Sequence, residues 1–127
     1  MRLSACTAFF GHRHNGTYWT YVESVRRCRA AGFDVVDANF CNALRGKTGR
    51  IRDDWEKVLH ELRNEAERIG VVFSQSHPVF VPRDPAEQPP EKMELYREMM
   101  RRSIIASGIL GVKWAVIHPI EEKTKAA

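Results

Sequence analysis

Two stretches of this chain repeat one pattern, GVVFSQSHP at Gly70–Pro78 and GVKWAVIHP at Gly111–Pro119. Each begins with a glycine, continues through six residues that include β-branched and aromatic types, and ends in His-Pro. Such runs predict β-strands. A looser relative, GFDVVDAN, occupies Gly32–Asn39, so that the three glycines stand 38 and 41 residues apart. A period of this length indicates a repeated supersecondary unit.

The segments between these runs predict helices, because apolar residues recur every three or four positions and a glycine follows each last turn. The three segments are Thr17 or Tyr18 to Ala31, Asp54 to Ile69, and Pro90 to Leu110. The second helix is expected to bury a stripe formed by Trp55, Val58, Leu59, Leu62, Ala66 and Ile69. The third is expected to bury Met93, Tyr96, Met100, Ile104 and Leu110.

With a first strand at Leu3–Ala8, strands and helices alternate along the chain, which favours a parallel sheet with right-handed crossovers. A Rossmann-type sheet is disfavoured, because the loop after the first strand contains neither GxGxxG nor a P-loop. We therefore predict an α/β fold of parallel βα repeats that forms half of a (β/α)8 TIM barrel, with four strands and three helices. Residues 1–127 are then one partial barrel domain, βα units one to three plus a fourth strand at 112–117, without the C-terminal half.

Composition places the chain among soluble globular proteins, with 43% apolar and 28% charged residues. No apolar run approaches the length that spans a bilayer, and the first residues lack the apolar core of a signal peptide. The three cysteines are odd in number and show no CxxC spacing, which fits free thiols in a reducing compartment. We expect a cytoplasmic protein.

The net charge of +4 has a local component, because Arg45, Lys47, Arg50 and Arg52 fall in one stretch without an acidic residue. Two interpretations stay open for this stretch. It is either a solvated loop or a site that attracts an anionic substrate, such as a phosphorylated sugar or nucleic acid.

Barrel enzymes carry their functional residues at the carboxyl ends of the strands, which makes the candidate residues predictable from position. His77 and His118 are the strongest pair and the predicted catalytic residues, since each ends its repeat directly before a proline. Imidazole there can bind a metal, donate a proton or hydrogen-bond a sugar hydroxyl. The alternative is that each histidine is a polar strand-end residue bonded to the backbone.

Four further residues are predicted to bind substrate. Asp37 lies within an apolar strand, where a carboxylate needs a partner, and that partner is either structural or a substrate or metal. Asn39 ends the same strand, Phe10 follows the first strand, and Arg45 opens the basic stretch.

The motifs together resemble the xylose-isomerase-like barrels of the sugar phosphate isomerase/epimerase family. AGFDVVD at Ala31–Asp37 looks like the second strand of that family, with Asp37 at a position usually held by Glu. Ser76-His77-Pro78 is similar to its third-strand histidine, and VIHP at Val116–Pro119 is similar to its fourth-strand motif. The resemblance implies metal-dependent proton transfer next to the carbonyl of a sugar or polyol. It also implies a divalent ion, Mn²⁺, Mg²⁺ or Zn²⁺, and a substrate-positioning role for the two histidines.

In that family the main metal ligands come from strands five to eight, so we expect the chain not to complete the metal site alone. The expected partners are a small sugar or polyol and either the missing C-terminal half or a second copy of the chain, with neither a membrane nor nucleic acid. A folded monomer in size-exclusion chromatography would exclude the second copy. The alternatives are an apurinic-endonuclease-like DNA-repair barrel, which predicts zinc on His77 and His118, and a non-catalytic fragment that assembles to close its sheet.

Overall fold

The computed structural model describes residues 3–10, 19–41, 54–79 and 87–118. Three strands, β1 (Ser4–Cys6), β2 (Val35–Asn39) and β3 (Val72–His77), form a parallel sheet in chain order. They alternate with helices α1 (Tyr21–Ala30), α2 (Trp55–Ile69) and α3 (Pro90–Ile109). The predicted α/β class and its parallel βα repeats are confirmed. Within the described residues, no helix is long and apolar enough to cross a membrane.

The helix ends follow local sequence chemistry. α1 begins at Tyr21, later than predicted, because Thr20 caps it: the Thr20 hydroxyl accepts from the Glu23 backbone N–H at 3.2 Å, and the Glu23 carboxylate accepts from the Thr20 N–H at 2.8 Å. The glycines that follow α2 and α3 adopt the left-handed conformation, with φ of 72° at Gly70 and 71° at Gly111. These residues stop the helices and turn the chain toward the next strand.

The core lies between one face of the sheet and the helices. Val25 and Cys28 of α1 and Val36 of β2 have no exposed surface, and Leu62 of α2 is 1% exposed. The predicted stripe of α2 is confirmed in its centre, where Leu59, Leu62 and Ala66 are buried. This packing fixes β2 between its neighbours and so determines where its carboxyl end lies.

The buried face of α3 agrees with the prediction at Leu110, which is 5% exposed, and at Tyr96, which packs against the core, but differs elsewhere. Its buried side chains are small or flexible, Met99, Ser103, Ala106 and Ser107, whereas Ile104 is 50% exposed. The Ser103 and Ser107 hydroxyls donate to backbone carbonyls one turn earlier, at 2.7 and 2.8 Å. The Ser107 hydroxyl also lies 2.8 Å from the hydroxyl of Ser76 in β3. Small hydroxyl side chains let α3 approach the sheet closely because each polar group keeps a partner.

The predicted fourth strand is reduced to a single parallel bridge between Ser76 and Ala115. The Ser76 N–H donates to the Trp114 carbonyl, and the Val116 N–H donates to the Ser76 carbonyl, both at 2.9 Å. Among the described residues this segment has a neighbouring strand on one side only. It therefore lacks hydrogen bonds to a strand on its other side that would extend it. Trp114 is 74% and Ile117 55% exposed at this open edge.

A charge cluster joins α1 to α2. The Glu65 carboxylate accepts from Arg68 at 2.7 Å and from Arg26 of α1 at 2.6 Å. Hydrogen bonds from Arg68 and then Arg26 lower the pKa of Glu65 to about 2. A carboxyl group whose pKa falls on folding stabilises the fold above its unfolded pKa, near 4.5, and loses that contribution as the pH falls toward 2.

We expect Glu65→Gln to make the stability of the fold depend less on pH between pH 4.5 and pH 2. The melting temperature of the unsubstituted chain should drop further between pH 4.5 and pH 2 than that of the variant, because only the former must protonate a paired carboxylate. Thermal melts followed by circular dichroism across this range measure the difference. Two parallel profiles would show that the cluster contributes nothing to acid sensitivity.

Candidate functional site

Polar side chains of β2 and β3 meet at the carboxyl end of the sheet. In the parallel register, Asp37 lies opposite Gln75 and Asn39 lies opposite His77. Partners in register share one face of a sheet, and residues two apart along a strand share it too. The four side chains therefore line the same face.

Asp37, Gln75 and His77 form a connected hydrogen-bond group. The Gln75 amide donates from Nε2 to Asp37 Oδ2 at 2.8 Å. The Nδ1 atom of His77 lies 2.9 Å from Asp37 Oδ2 and 3.0 Å from Oδ1. The Asp37 side chain is 11% exposed and that of His77 is 26% exposed. The carboxylate is thus covered by its two partners, while the imidazole keeps access to solvent.

This contact determines which imidazole nitrogen of His77 is left without the carboxylate partner. A carboxylate only accepts hydrogen bonds, so the proton shared with Asp37 sits on Nδ1 of His77. In the neutral ring the other nitrogen, Nε2, then carries a lone pair and accepts a proton or a hydrogen bond. The pair has the geometry of a general base held in orientation by a carboxylate.

Asn39 fixes the end of β2. Its backbone N–H donates to the hydroxyl of Thr7 at 3.0 Å, which ties β2 to the turn after β1. Its side-chain Oδ1 accepts from the Cys41 N–H at 3.0 Å. The Phe40 N–H in turn donates to the His77 carbonyl at 2.9 Å. The backbone around His77 is therefore held from the side of β2.

Behind this edge, Tyr21 and Phe40 pack edge to face with ring centroids 6.1 Å apart. Burial, with a smaller effect from the nearby Cys41 thiol, raises the pKa of Tyr21 far above its usual value of 10. Tyr21 thus acts as a neutral packing residue rather than a base.

His118 is not in register with His77. Because Ala115 pairs with Ser76, the residue beside His77 is Val116, and His118 follows two positions later along the chain. His118 is exposed. Phe10 ends a 3-10 turn, Thr7–Phe10, directly after β1. Arg45 and the rest of the basic stretch lie outside the described residues. The structure therefore brings Asp37 and His77 together, with Asn39 opposite His77.

Gln75 is the site residue that the sequence analysis did not single out. The signal was present: an amide side chain two residues before His77 in a strand that otherwise reads as apolar or small. A buried-strand polar residue requires a partner, and Asp37 is that partner here.

The part of the chain that the structure describes contains no preformed cluster of ligands for a divalent metal. No group of three or more His, Cys, Asp or Glu side chains lies close enough there to hold an ion. Asp37 and His77 are two suitable ligand types, but their facing atoms bond to each other. The described residues thus offer a histidine with one open nitrogen rather than a metal cage.

Comparison with known proteins supports the fold. No protein-family model matches the sequence. No curated protein matches it either. Among solved structures, the chain is similar to a crystal structure of D-psicose 3-epimerase in the presence of D-fructose, with a TM-score of 0.58 and 10% identity. The match covers 100% of this chain and 42% of that one, which is a TIM barrel. At this identity the likeness concerns the architecture.

Proposed function

We propose that this chain contributes the amino-terminal part of the active site of a sugar isomerase or epimerase, with His77 as a proton-transferring residue. The observation that carries the proposal is the Asp37–His77 pair at the carboxyl end of a parallel sheet. Barrel enzymes build their active sites at that end, and an imidazole held by a carboxylate is suited to moving protons.

The architecture supports the same class of reaction. The similar solved structure is a sugar epimerase with D-fructose present, and this chain spans 42% of its length. The complete reaction is therefore part of the proposal, as are the four further βα units that close the barrel. We propose that these come from a further C-terminal half of the protein or from a second copy of the chain pairing with the open edges at β1 and Trp114–Val116. Both edges lack a second neighbour among the described residues.

The proposed chemistry is proton transfer beside a carbonyl. Nε2 of neutral His77 takes the proton from the carbon next to the substrate carbonyl. The electron pair of that C–H bond forms a carbon–carbon double bond, and the carbonyl π pair moves onto oxygen to give an enediolate. Delivery of the proton from His77 to the neighbouring carbon, while the hydroxyl proton of the first carbon moves to the former carbonyl oxygen, yields the isomer. Delivery of a second proton to the opposite face of the first carbon, with the original carbonyl formed again and the removed proton left on His77, yields the epimer.

Inversion of configuration at the substrate carbon requires a proton donor on the face opposite His77. His118 remains our candidate for this donor. Asn39, Phe10 and Arg45 remain predicted substrate contacts, with Arg45 suited to a phosphate group. The endonuclease alternative requires His77 and His118 on one zinc ion. The register gives it no support, because Val116 rather than His118 lies beside His77.

The metal and the compartment complete the proposal. A divalent ion remains implied by the family resemblance, with its ligands outside the group described above, and no step here depends on it. The three cysteines are free thiols, which supports the proposed cytoplasmic location.

Solvent-isotope exchange tests the proposed function. The protein with its barrel closed, either by a C-terminal half or by a second copy of the chain, is mixed with D-fructose and other ketohexoses in D₂O with Mn²⁺ or Mg²⁺, and the proton next to the carbonyl is followed by NMR. We expect its signal to decay and the imidazole resonances of His77 to shift on ketose addition. His60, exposed on α2, is the internal control and should not shift. Absence of both exchange and shift would contradict the proposal.

A further inference from the structure

The side-chain amide of Asn39 is held at one of its two ends. Its Oδ1 atom accepts from the Cys41 backbone N–H at 3.0 Å. Because a backbone N–H only donates, the atom that faces it is the amide oxygen, and the orientation of the Asn39 amide is thereby assigned. The N–H₂ group lies at the other end and has no acceptor among the described residues. Asn39 therefore offers an open donor at the end of β2.

The strand end that carries this amide is tied to its neighbours. The Asn39 backbone N–H donates to the Thr7 hydroxyl at 3.0 Å, and the Phe40 N–H donates to the His77 carbonyl at 2.9 Å. Phe40 itself is 5% exposed and packs against Tyr21. A polar group on such a backbone is already ordered before a ligand arrives, which lowers the entropic cost of using it.

The open donor of Asn39 lies beside an open acceptor. Asn39 pairs with His77 in the parallel register, so the two side chains share one face at the carboxyl end of the sheet. Neighbouring strands are about 4.8 Å apart, and one small ligand can therefore contact both side chains. Nδ1 of His77 is occupied by Asp37 at 2.9 Å, which leaves Nε2 as the acceptor.

An acceptor next to a donor matches the charge movement of proton removal beside a carbonyl. As the proton moves from carbon to Nε2 of His77, the carbonyl π pair moves onto oxygen, which becomes negative. A hydrogen bond donated to that oxygen strengthens as the charge grows, and no proton has to leave the amide. The N–H₂ group of Gln75 is directed to Asp37 instead, at 2.8 Å, so Asn39 is the better placed donor.

We propose that Asn39 is a catalytic residue: its N–H₂ group donates to the substrate carbonyl oxygen while His77 removes the neighbouring proton. The inference deepens the predicted substrate contact and rests on the proposed function for its chemistry. The orientation of the amide does not rest on it. The test therefore follows the amide separately from the reaction.

The competing role for Asn39 is to stabilise the turn at the end of β2, and two substitutions separate the two roles. Asn39→Asp and Asn39→Ser each keep a side-chain oxygen that accepts from the Cys41 N–H, as these residues do in turns of this kind. Neither keeps the N–H₂ group. Asn39→Ser adds no charge, so it decides where the two differ. Asn64→Asp, exposed on α2, is the matched control.

Three measurements are made on the protein with its barrel closed. The first is the ¹⁵N and ¹H signal of the Asn39 side-chain amide as D-fructose is added. The second is the ketose exchange rate in D₂O. The third is the ring spectrum of His77, which distinguishes a proton on Nδ1 from one on Nε2 and so reports whether the site is intact.

We expect the sugar to shift the Asn39 amide signal. Exchange should fall about 10²- to 10³-fold in Asn39→Asp and in Asn39→Ser, the usual effect of removing one donor to a developing oxyanion. The Nδ1–H signal of His77 should persist in Asn39→Ser, and Asn64→Asp should change none of the three measurements.

Exchange at the unsubstituted rate in Asn39→Ser, or an Asn39 amide signal that the sugar does not shift, overturns the proposal and leaves the proposed function standing. If the substitutions unfold the protein, the amide signal of the unsubstituted protein decides. Absence of exchange in the unsubstituted protein rejects the sugar chemistry, and with it the catalytic role of Asn39, even where the amide signal shifts.

Discussion

Replacing Asp37 with asparagine is expected to lower the ketose exchange rate by about 10²- to 10⁴-fold, the usual contribution of a positioned general base. The substitution removes a charge but hardly changes shape, so the fold should persist. The introduced amide can present its N–H₂ group to Nδ1 of His77, where Asp37 presents oxygen at 2.9 Å. The ring would then carry its proton on Nε2 and lose the lone pair that accepts the substrate proton.

The measurement for Asp37→Asn is exchange in D₂O together with the ring spectrum of His77. Asp34→Asn is the matched control, since Asp34 lies just before β2 at its other end and contacts β3 through its backbone carbonyl. We expect the control to keep both the exchange rate and the Nδ1–H signal. A variant at position 37 that exchanges at the unsubstituted rate would show that His77 works without its carboxylate.

Replacing Leu62 with alanine is expected to lower the free energy of unfolding by about 2–5 kcal/mol, the range for a large core side chain cut back to a methyl. Leu62 is 1% exposed and belongs to the buried core cluster, which also contains Val36 of β2. The loss combines the lost burial of apolar surface with the cavity left behind. For a domain of ordinary marginal stability this is a large fraction of the total.

Urea unfolding followed by circular dichroism measures this change. Leu95→Ala on α3 is the matched control, because Leu95 is 42% exposed and its truncation should alter the free energy of unfolding by about 0.5 kcal/mol or less. A loss below about 1 kcal/mol at position 62 would show that the α2 packing is not the main stabilising contact of this unit.

The sequence predicts the elements well because their signals are local. The stripe of α2 and the glycines at 70 and 111 are visible in the sequence, and the structure places the helix ends there. The carboxyl-end position of Asp37 and His77 also follows from the strand order. Both kinds of prediction need only the periodicity of the chain and the rule that parallel strands end at one edge.

The relations between strands were not predictable in the same way. The His-Pro repeat gives the position of each histidine within its own unit. Pairing between neighbouring strands depends instead on the stagger of the sheet, and His118 therefore lies two positions beyond the neighbour of His77. The buried Ser103 and Ser107 of α3 escaped prediction because they read as polar, although each hydroxyl donates to a carbonyl one turn away. Register and hydroxyl satisfaction are tertiary properties.

The pairing of β3 with β2 skips Ser74, because Val36 pairs with Phe73 and Asp37 pairs with Gln75. A residue that a bulge leaves unpaired in this way does not exchange the two sides of the strand, but it shifts the residues before it by one position in the sequence relative to a strand without a bulge. An alignment that matches the His-Pro dipeptides without a gap at position 74 would therefore equate residues of opposite environment, pairing a core position with one that faces Asp37. Such an alignment should match residues that occupy the same face of the strand, rather than residues that are merely identical.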